Sequence, residues 1–441
     1  MKILFVSLGC DKNLVDTEVM LGLLAEKGYT FTDDEEQADI VVVNTCCFIG
    51  DAKEESIQNI LSMAKRKESG QLKALIVSGC LAQRYQEEIL KEIPEVDAIL
   101  GTTAIDEIVD TVEKKPENHI EDINKAVVHG KNRIVTTGGH FAYLKIAEGC
   151  NKHCTYCIIP KVRGNYRSVP LESLVKEAKT LVENGAKELI LVAQETTMYG
   201  IDLYGKKSLP LLLRELAKIE DLKFIRILYC YPEEMDDELI ETIKEEDKVC
   251  KYLDIPIQHA CNRILGRMGR KTTKEELIAT IEKLRQRIPE ICLRTTLITG
   301  FPGETKKEHQ ELMEFVEQMR FDRLGVFTYS REEDTPAATM KNQVPEFVKK
   351  HRQKCLMQLQ QKIAFEKAEE TVGKTLSVLI EGALPEENVY VGRSYKDAPN
   401  VDGYVFVNAD RSLMTGDFVS VKITSSNQYD LIGEIEDEFT K

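Results

Sequence analysis

A chain of 441 residues should hold about three domains of ordinary size, each long enough to bury a core. Its formal net charge is −15, from 59 Lys and Arg against 74 Asp and Glu. This acidity argues against strong sequence-independent binding of nucleic acid, which depends on Lys and Arg, and no apolar run approaches the roughly eighteen residues of a membrane span.

The opening "MKILFVSLGC" reads as a first buried strand rather than a leader, because the apolar run is short and ends on Cys10 without a small-residue cleavage site. The expected compartment is the cytoplasm. Thiols stay reduced there, so grouped cysteines point to metal or catalysis. Across residues 1–115, "KILFVS", "ADIVVVN" and "LKALIVS" alternate with segments of helical period. That alternation predicts a parallel, doubly wound α/β sheet. Each predicted strand runs into a cysteine, Cys10, Cys46 or Cys80, at spacings of 36 and 34 residues. Ligands of open α/β sheets bind at the carboxyl ends of strands, so three thiols should share one edge. Free cysteine is also a common core residue, and that is the reading for Cys47, beside Cys46.

Residues 115–137 are charged and weakly periodic, and are expected to connect two domains. From about 138, six strand signals follow: "FAYLKIAE", "KELILVAQ", "KFIRILYC", "KYLDIPIQ", "ICLRTTLIT" and "DRLGVFTYS". With helices between them they predict a partial (βα) barrel whose site lies at the strands' carboxyl ends. One intervening helix is punctuated by Ser168 and Pro170 before it and Asn184-Gly185 after it. A long charged helix spans about 345–370. After Gly373 the pattern changes to five short alternating strands with turn residues between them, which predicts a small antiparallel β-barrel. The expected domains are therefore 1–136, 137–370 and 371–441.

The sharpest motif is "GCNKHCTYC", which places Cys150, Cys154 and Cys157 in a loop after the first barrel strand. Closely spaced thiolates hold iron–sulfur clusters, and three of them leave one iron of a cubane free for a small ligand. A zinc site is the competing reading, with His153 as fourth ligand, but His153 sits awkwardly beside Cys154.

At this loop the sequence resembles the radical S-adenosylmethionine (SAM) superfamily. The resemblance implies a 4Fe–4S cluster on Cys150, Cys154 and Cys157 whose free iron binds SAM, with Tyr156 as the aromatic before the third cysteine. "VAQET" stands where the superfamily places its amino-group segment, making Gln194 and Glu195 candidates for SAM binding. "LITGFPGET" resembles the later Gly-rich segment, with Gly300 and Glu304 near the adenosine. Its other reading is a plain strand-to-helix turn.

The order of an α/β domain with three cysteines, a radical SAM barrel and a small β domain resembles the methylthiotransferases, whose C-terminal piece is a TRAM domain. "GCDKNLVDTE", "NTCCFIGDAKEES" and "GRSYKDAPNVDG" are similar to the ribosomal-protein branch. The tRNA branch typically has Gln-Met-Asn after the first cysteine, where this chain has Asp11, Lys12 and Asn13. The resemblance implies a second 4Fe–4S cluster on Cys10, Cys46 and Cys80. It also implies two uses of SAM, methyl transfer to sulfur and radical insertion of the methylthio group at the β-carbon of an aspartate in small-subunit ribosomal protein twelve. An external electron donor is implied as well. The C-terminal domain carries 6 basic and 12 acidic side chains, a balance that suits a basic protein partner better than RNA. Arg393, Tyr395 and Asp397 are candidates for touching that substrate; a turn with exposed polar residues is the other reading. Competing functions are a tRNA adenosine methylthiotransferase and a non-catalytic iron–sulfur RNA-binding or assembly protein.

Overall fold

The computed structural model describes residues 1–114, 118–384 and 388–436. In its first part, β1 (Lys2–Ser7), β2 (Thr30–Phe31), β3 (Ile40–Thr45), β4 (Ala74–Ser78) and β5 (Ala98–Leu100) form a parallel sheet in the order β2-β1-β3-β4-β5. The short β2 and β5 were not expected from the sequence, since two or three residues are too few to show a period. Strand β3 is buried along its whole length, because helices cover both faces. Ile60 and Met63 of α2 (Gly50–Glu68) and Leu81 of α3 (Gly79–Glu92) pack on one face. Met20 and Leu24 of α1 (Asp11–Glu26) pack on the other. Each fully buried Val, Ile or Leu contributes about 1.5–3 kcal/mol.

The connection to the second part begins at 115–117, outside the described residues. Its later stretch is tied across α1. The Ile134 amide donates to the Glu18 carbonyl, and the Thr136 amide donates to Glu18 Oε1 at 2.7 Å. Gly22 permits this crossing, because a Cβ there would lie 2.2 Å from the Asn132 carbonyl oxygen.

The second part contains the six expected strands: β6 (Phe141–Lys145), β7 (Glu188–Val192), β8 (Phe224–Ile227), β9 (Val249–Asp254), β10 (Cys292–Thr299) and β11 (Arg323–Thr328). They are parallel and lie in sequence order from β6 to β11, an open partial barrel. Pleating sends Ala142 and Leu144 toward the surrounding helices and Phe141 and Tyr143 into the lumen. The lumen core continues into Leu14 and Val15 of α1 at one end and into Tyr395, Ala398 and Phe418 at the other. The punctuated helix spans Leu171–Glu183, but Ser168 does not cap it; the Ser168 hydroxyl donates to Asp202 instead.

The long helix is Glu346–Glu369. Beyond it, β12 (Thr375–Leu384), β13 (Val389–Ser394), β14 (Val405–Asn408), β15 (Phe418–Asn427) and β16 (Asp430–Ile435) close into a barrel in the order β12-β13-β14-β16-β15. Four of the five pairings are antiparallel, as expected, and β14 and β16 pair in parallel. Closure requires β16 to fill the gap between β14 and β15, and chain direction leaves it parallel to β14. No helix among the described residues is long and apolar enough to cross a membrane.

Candidate active site between two sheet edges

Cys10 stands at the start of α1 just after β1, Cys46 directly after β3, and Cys80 in the first turn of α3 after β4. All three lie at the carboxyl edge of the first sheet, and the thiols of Cys47, Cys46 and Cys10 are all close enough to Cys80 to disfavour its ionisation. Gly9, at φ 89°, lets the Cys10 loop approach Cys46, since a Cβ there would sit 2.9 Å from Cys46 Sγ. Burial pushes the Cys46 and Cys80 thiols above their ordinary range. Bound iron would supply the positive charge that such desolvated thiolates lack. Cys47 is fully buried in the core beside Ile60 and Val77, a cluster that Cys80 also borders.

The second triplet lies in the loop after β6. Cys150 and Cys154 are buried and Cys157 is partly so. Burial raises the Cys150 thiol to about 11 and pushes Cys157 up as well. Among the described residues no group of three or more His, Cys, Asp or Glu is gathered as tightly as one metal ion demands. A cubane distributes its thiolates over separate irons and does not require them to be gathered that tightly.

Around this loop the charges converge. Lys152 Nζ lies 3.6 Å from Glu195 Oε1 and 3.7 Å from Glu233, and it pairs with Glu234. The Tyr231 ring has Arg270 4.3 Å from its centroid and Lys152 5.0 Å away. Glu195 is buried. Desolvation, reinforced by Glu234 and Glu233 against the opposing Lys152, raises its carboxyl to about 7. Gln194 Oε1, Glu233 Oε2 and Arg270 Nε are buried without a hydrogen-bond partner among the described residues. Buried orphans of this kind are costly unless a ligand satisfies them, which fits a polar cofactor in this space. Lys152, Tyr231, Glu233 and Arg270 were missed by sequence reasoning. Only the position of Lys152 inside the cysteine loop could have flagged any of them.

Other expected contacts are placed differently. Tyr156 is half-buried and meets Phe301 edge-on at 6.5 Å. Glu304 caps the turn after β10: its carboxylate accepts from the amides of Gly300 and Phe301 and pairs with Arg352 at 3.1 Å. Gly300, at φ 73°, could not carry a side chain, as a Cβ would lie 2.3 Å from Lys349 Cγ. The segment thus has the turn reading, and Glu304 is not free to face an adenosine.

The candidates in "GRSYKDAP" also need correction, because all three are taken up inside the chain. Arg393 pairs with Glu188 at 2.7 Å and Glu381 at 2.6 Å, and Asp397 pairs with Arg323 at 2.6 Å. The Tyr395 hydroxyl donates to the Glu290 carbonyl at 2.9 Å, and its own carbonyl accepts from Arg226 at 2.6 Å. Glu188 and Arg323 open their strands, and Glu290 lies two residues before β10, while Arg226 is the third residue of the four in β8. The segment therefore plugs the barrel's amino end, opposite the cysteines.

A group of polar residues centred on Arg163 runs from Cys80 of the first triplet to Glu148, two residues before Cys150 of the second. Arg163 Nε donates to Cys80 Sγ at 3.3 Å, and its Nη1 donates to Asp16 Oδ2 at 2.7 Å and Glu148 Oε2 at 3.0 Å. Its Nη2 donates to Asn13 Oδ1. Gln194 donates to the other oxygen of Glu148 at 2.6 Å. Lys145 completes the group by pairing with Asp16 and, at 3.0 Å, with Glu148. Burial alone would raise the Glu148 carboxyl, but Arg163 and Lys145 outweigh it and hold it well below the usual range. On the far flank, Gly50 N donates to Ser330 Oγ at 3.1 Å and Arg84 pairs with Glu332 at 3.4 Å. The carboxyl edges of the two sheets thus face each other.

Three family models match the chain: "Uncharacterized protein family UPF0004" over residues 2–101, "Radical SAM superfamily" over 144–316 and "TRAM domain" over 372–435. A protein of Lachnoclostridium phytofermentans named ribosomal protein uS12 methylthiotransferase RimO is 62% identical over 99% of this chain and 100% of its own. One of the same name from Clostridioides difficile is 51% identical over 99% of each chain. In fold, the chain is similar to the radical SAM methyltransferase TsrM of Kitasatospora setae, with a TM-score of 0.54 at 15% identity, covering 85% of this chain and 80% of that one. Sheet order, facing cysteine edges and full-length similarity agree: the chain belongs to the RimO family of radical SAM methylthiotransferases, enzymes that use SAM and 4Fe–4S clusters.

Proposed function

We propose that this enzyme methylthiolates the β-carbon of an aspartate in ribosomal protein uS12. Cys150, Cys154 and Cys157 hold the cluster that binds SAM, and Cys10, Cys46 and Cys80 hold the second. The observation that carries this reading is the pair of three-cysteine sites on facing sheet edges, with Arg163 bonded to both Cys80 and Glu148, and Gln194 bonded to Glu148 in turn. When bound, the cofactors supply a radical able to remove hydrogen from an unactivated carbon and a sulfur to replace it. The chain supplies position and charge. Glu195 and the open oxygen of Gln194 would receive the SAM ammonium, while Arg163 donates to the Cys80 sulfur and ties it to the barrel through Glu148.

The same reading places the enzyme in the cytoplasm, with an external electron donor and little direct contact with nucleic acid. The substrate comes from the relatives that carry its name, and the acidic C-terminal domain suits a basic ribosomal protein. The domain limits in this reading are 136/137 and 370/371; the first falls between the strand ending at Leu100 and the one beginning at Phe141. The test is anaerobic incubation of reconstituted enzyme with SAM, reductant and uS12. A methylthio increment on an aspartate-containing peptide is expected, and a methylthiolated tRNA nucleoside with unmodified uS12 would refute the substrate.

A further inference from the structure

Buried cations in this protein follow one rule with one exception. Eight Lys and Arg residues are buried among the described residues. Seven have a carboxylate within 4.0 Å: Lys145, Arg163, Arg226, Arg270, Lys349, Arg352 and Arg393. Lys12 has no ion pair and no side-chain hydrogen bond among the described residues, although it is only 6% exposed. Its ammonium is held 3.4 Å from the centroid of the Tyr229 ring. A cation–π contact compensates part of the lost hydration, but a buried ammonium without an anion is costly and rare.

The platform beneath it is built for position. Tyr229 follows the carboxyl end of β8 in the left-handed backbone region at φ 62°, which is strained for a bulky residue. Such strain persists where the surroundings over-determine it, and it concentrates at functional sites. Here the Tyr229 hydroxyl donates to Asp11 Oδ2 at 3.1 Å and its amide donates to Asp254 Oδ2 at 3.3 Å. The adjacent acids are thus engaged with Tyr229 rather than with Lys12. Asp254 also pairs with Arg294 at 2.7 Å. Cys10, Asp11 and Tyr229 all remain partly exposed, so the space is reachable from solvent. Lys12 stands two residues after Cys10, between the two cysteine edges.

We propose that Lys12 is the recognition residue for the carboxylate of the acidic side chain that this enzyme modifies. The substrate's carboxylate completes the missing ion pair, which holds the adjacent methylene carbon between the two cysteine sites. Selectivity then follows from charge. An acidic side chain satisfies the buried ammonium, whereas its amide counterpart leaves it without an anion. This inference rests on the proposed reaction on a ribosomal-protein aspartate.

The experiment compares wild type, Lys12→Met and Lys12→Arg against uS12 and a uS12 variant carrying Asn in place of the modified aspartate. Binding is measured by anisotropy without reductant, and turnover on uS12 is split into KM and kcat. Wild type should bind uS12 roughly 10- to 100-fold more tightly than the Asn variant, the range expected for a charge-assisted hydrogen bond. Lys12→Met should lose that preference and raise KM for uS12 by a similar factor. Lys12→Arg should keep most of the preference. Iron content and 5′-deoxyadenosine formation without substrate check that each variant is assembled. If wild type binds both proteins equally, or if an assembled Lys12→Met keeps the wild-type preference and KM, the proposal is overturned; the first comparison needs no variant to fold. Failure of wild type to methylthiolate uS12 at all would instead sink the underlying reaction.

Discussion

Replacing Arg163 with Met should loosen the seam between the first sheet and the barrel. The buried group comprises Arg163 and Lys145 against Asp16 and Glu148, two positive and two negative charges. Removing the guanidinium leaves one uncompensated negative charge and strips partners from Cys80 Sγ and Asn13 Oδ1. Breaking a buried pair from one side costs about 3–5 kcal/mol, or roughly two to four orders of magnitude in an opening equilibrium at about 1.4 kcal/mol per tenfold. Hydrogen exchange on the anaerobic holoenzyme reads this directly, in peptides covering residues 13–17 and 159–163. Arg163→Lys should fall between the two, because it keeps the charge but not the fork that reaches four acceptors. Adding Glu148→Gln to Arg163→Met should recover part of the loss, since it removes the stranded charge. If exchange in Arg163→Met stays within about threefold of wild type, the seam is not held by this group.

Three further outcomes test other parts of the site. Iron and sulfide analysis should find about eight irons per chain, falling to about four when Cys10, Cys46 and Cys80 are replaced by Ala; Cys47→Ala should leave the content unchanged because that thiol is core packing. Glu195 has its carboxyl raised to about 7, so SAM affinity should weaken as pH falls through about 7, where the ammonium loses its counter-charge. Calorimetry of Glu195→Gln should show weaker binding without that pH dependence, and a wild-type affinity that is flat from pH 6 to 8 would remove Glu195 from the site. The same raised value means that the folded state keeps a proton the unfolded chain releases near its ordinary carboxyl range, so Glu195 costs stability increasingly as pH rises toward 7. Arg393→Met strands Glu188, which Arg226 alone would then hold at 2.7 Å. Limited proteolysis near residues 370–375 should accelerate, while the metal content of both sites stays at the wild-type level.

The strands, their order along the chain and the cysteines at their ends were legible in the sequence because they are local properties. A period of two or 3.6, a terminating glycine and a spacing of three or four residues are written within a few neighbours. Cys10, Cys46 and Cys80 could be assigned to one edge because parallel strands repeat at regular intervals. Tertiary structure alone decided which polar groups meet. Arg163 reaches partners 83 and 147 residues away, and nothing in "PKVRG" distinguishes it from a surface arginine. "GRSYKDAP" looked like an exposed recognition turn, yet docking of the C-terminal barrel buries it at the amino end of the β6–β11 lumen. Glu304 resembled a cofactor contact until the turn itself claimed its carboxylate. Lys12 is the sharpest case. Its place beside Cys10 was plain in the sequence, but its burial over Tyr229 without an anion depends on two domains meeting edge to edge.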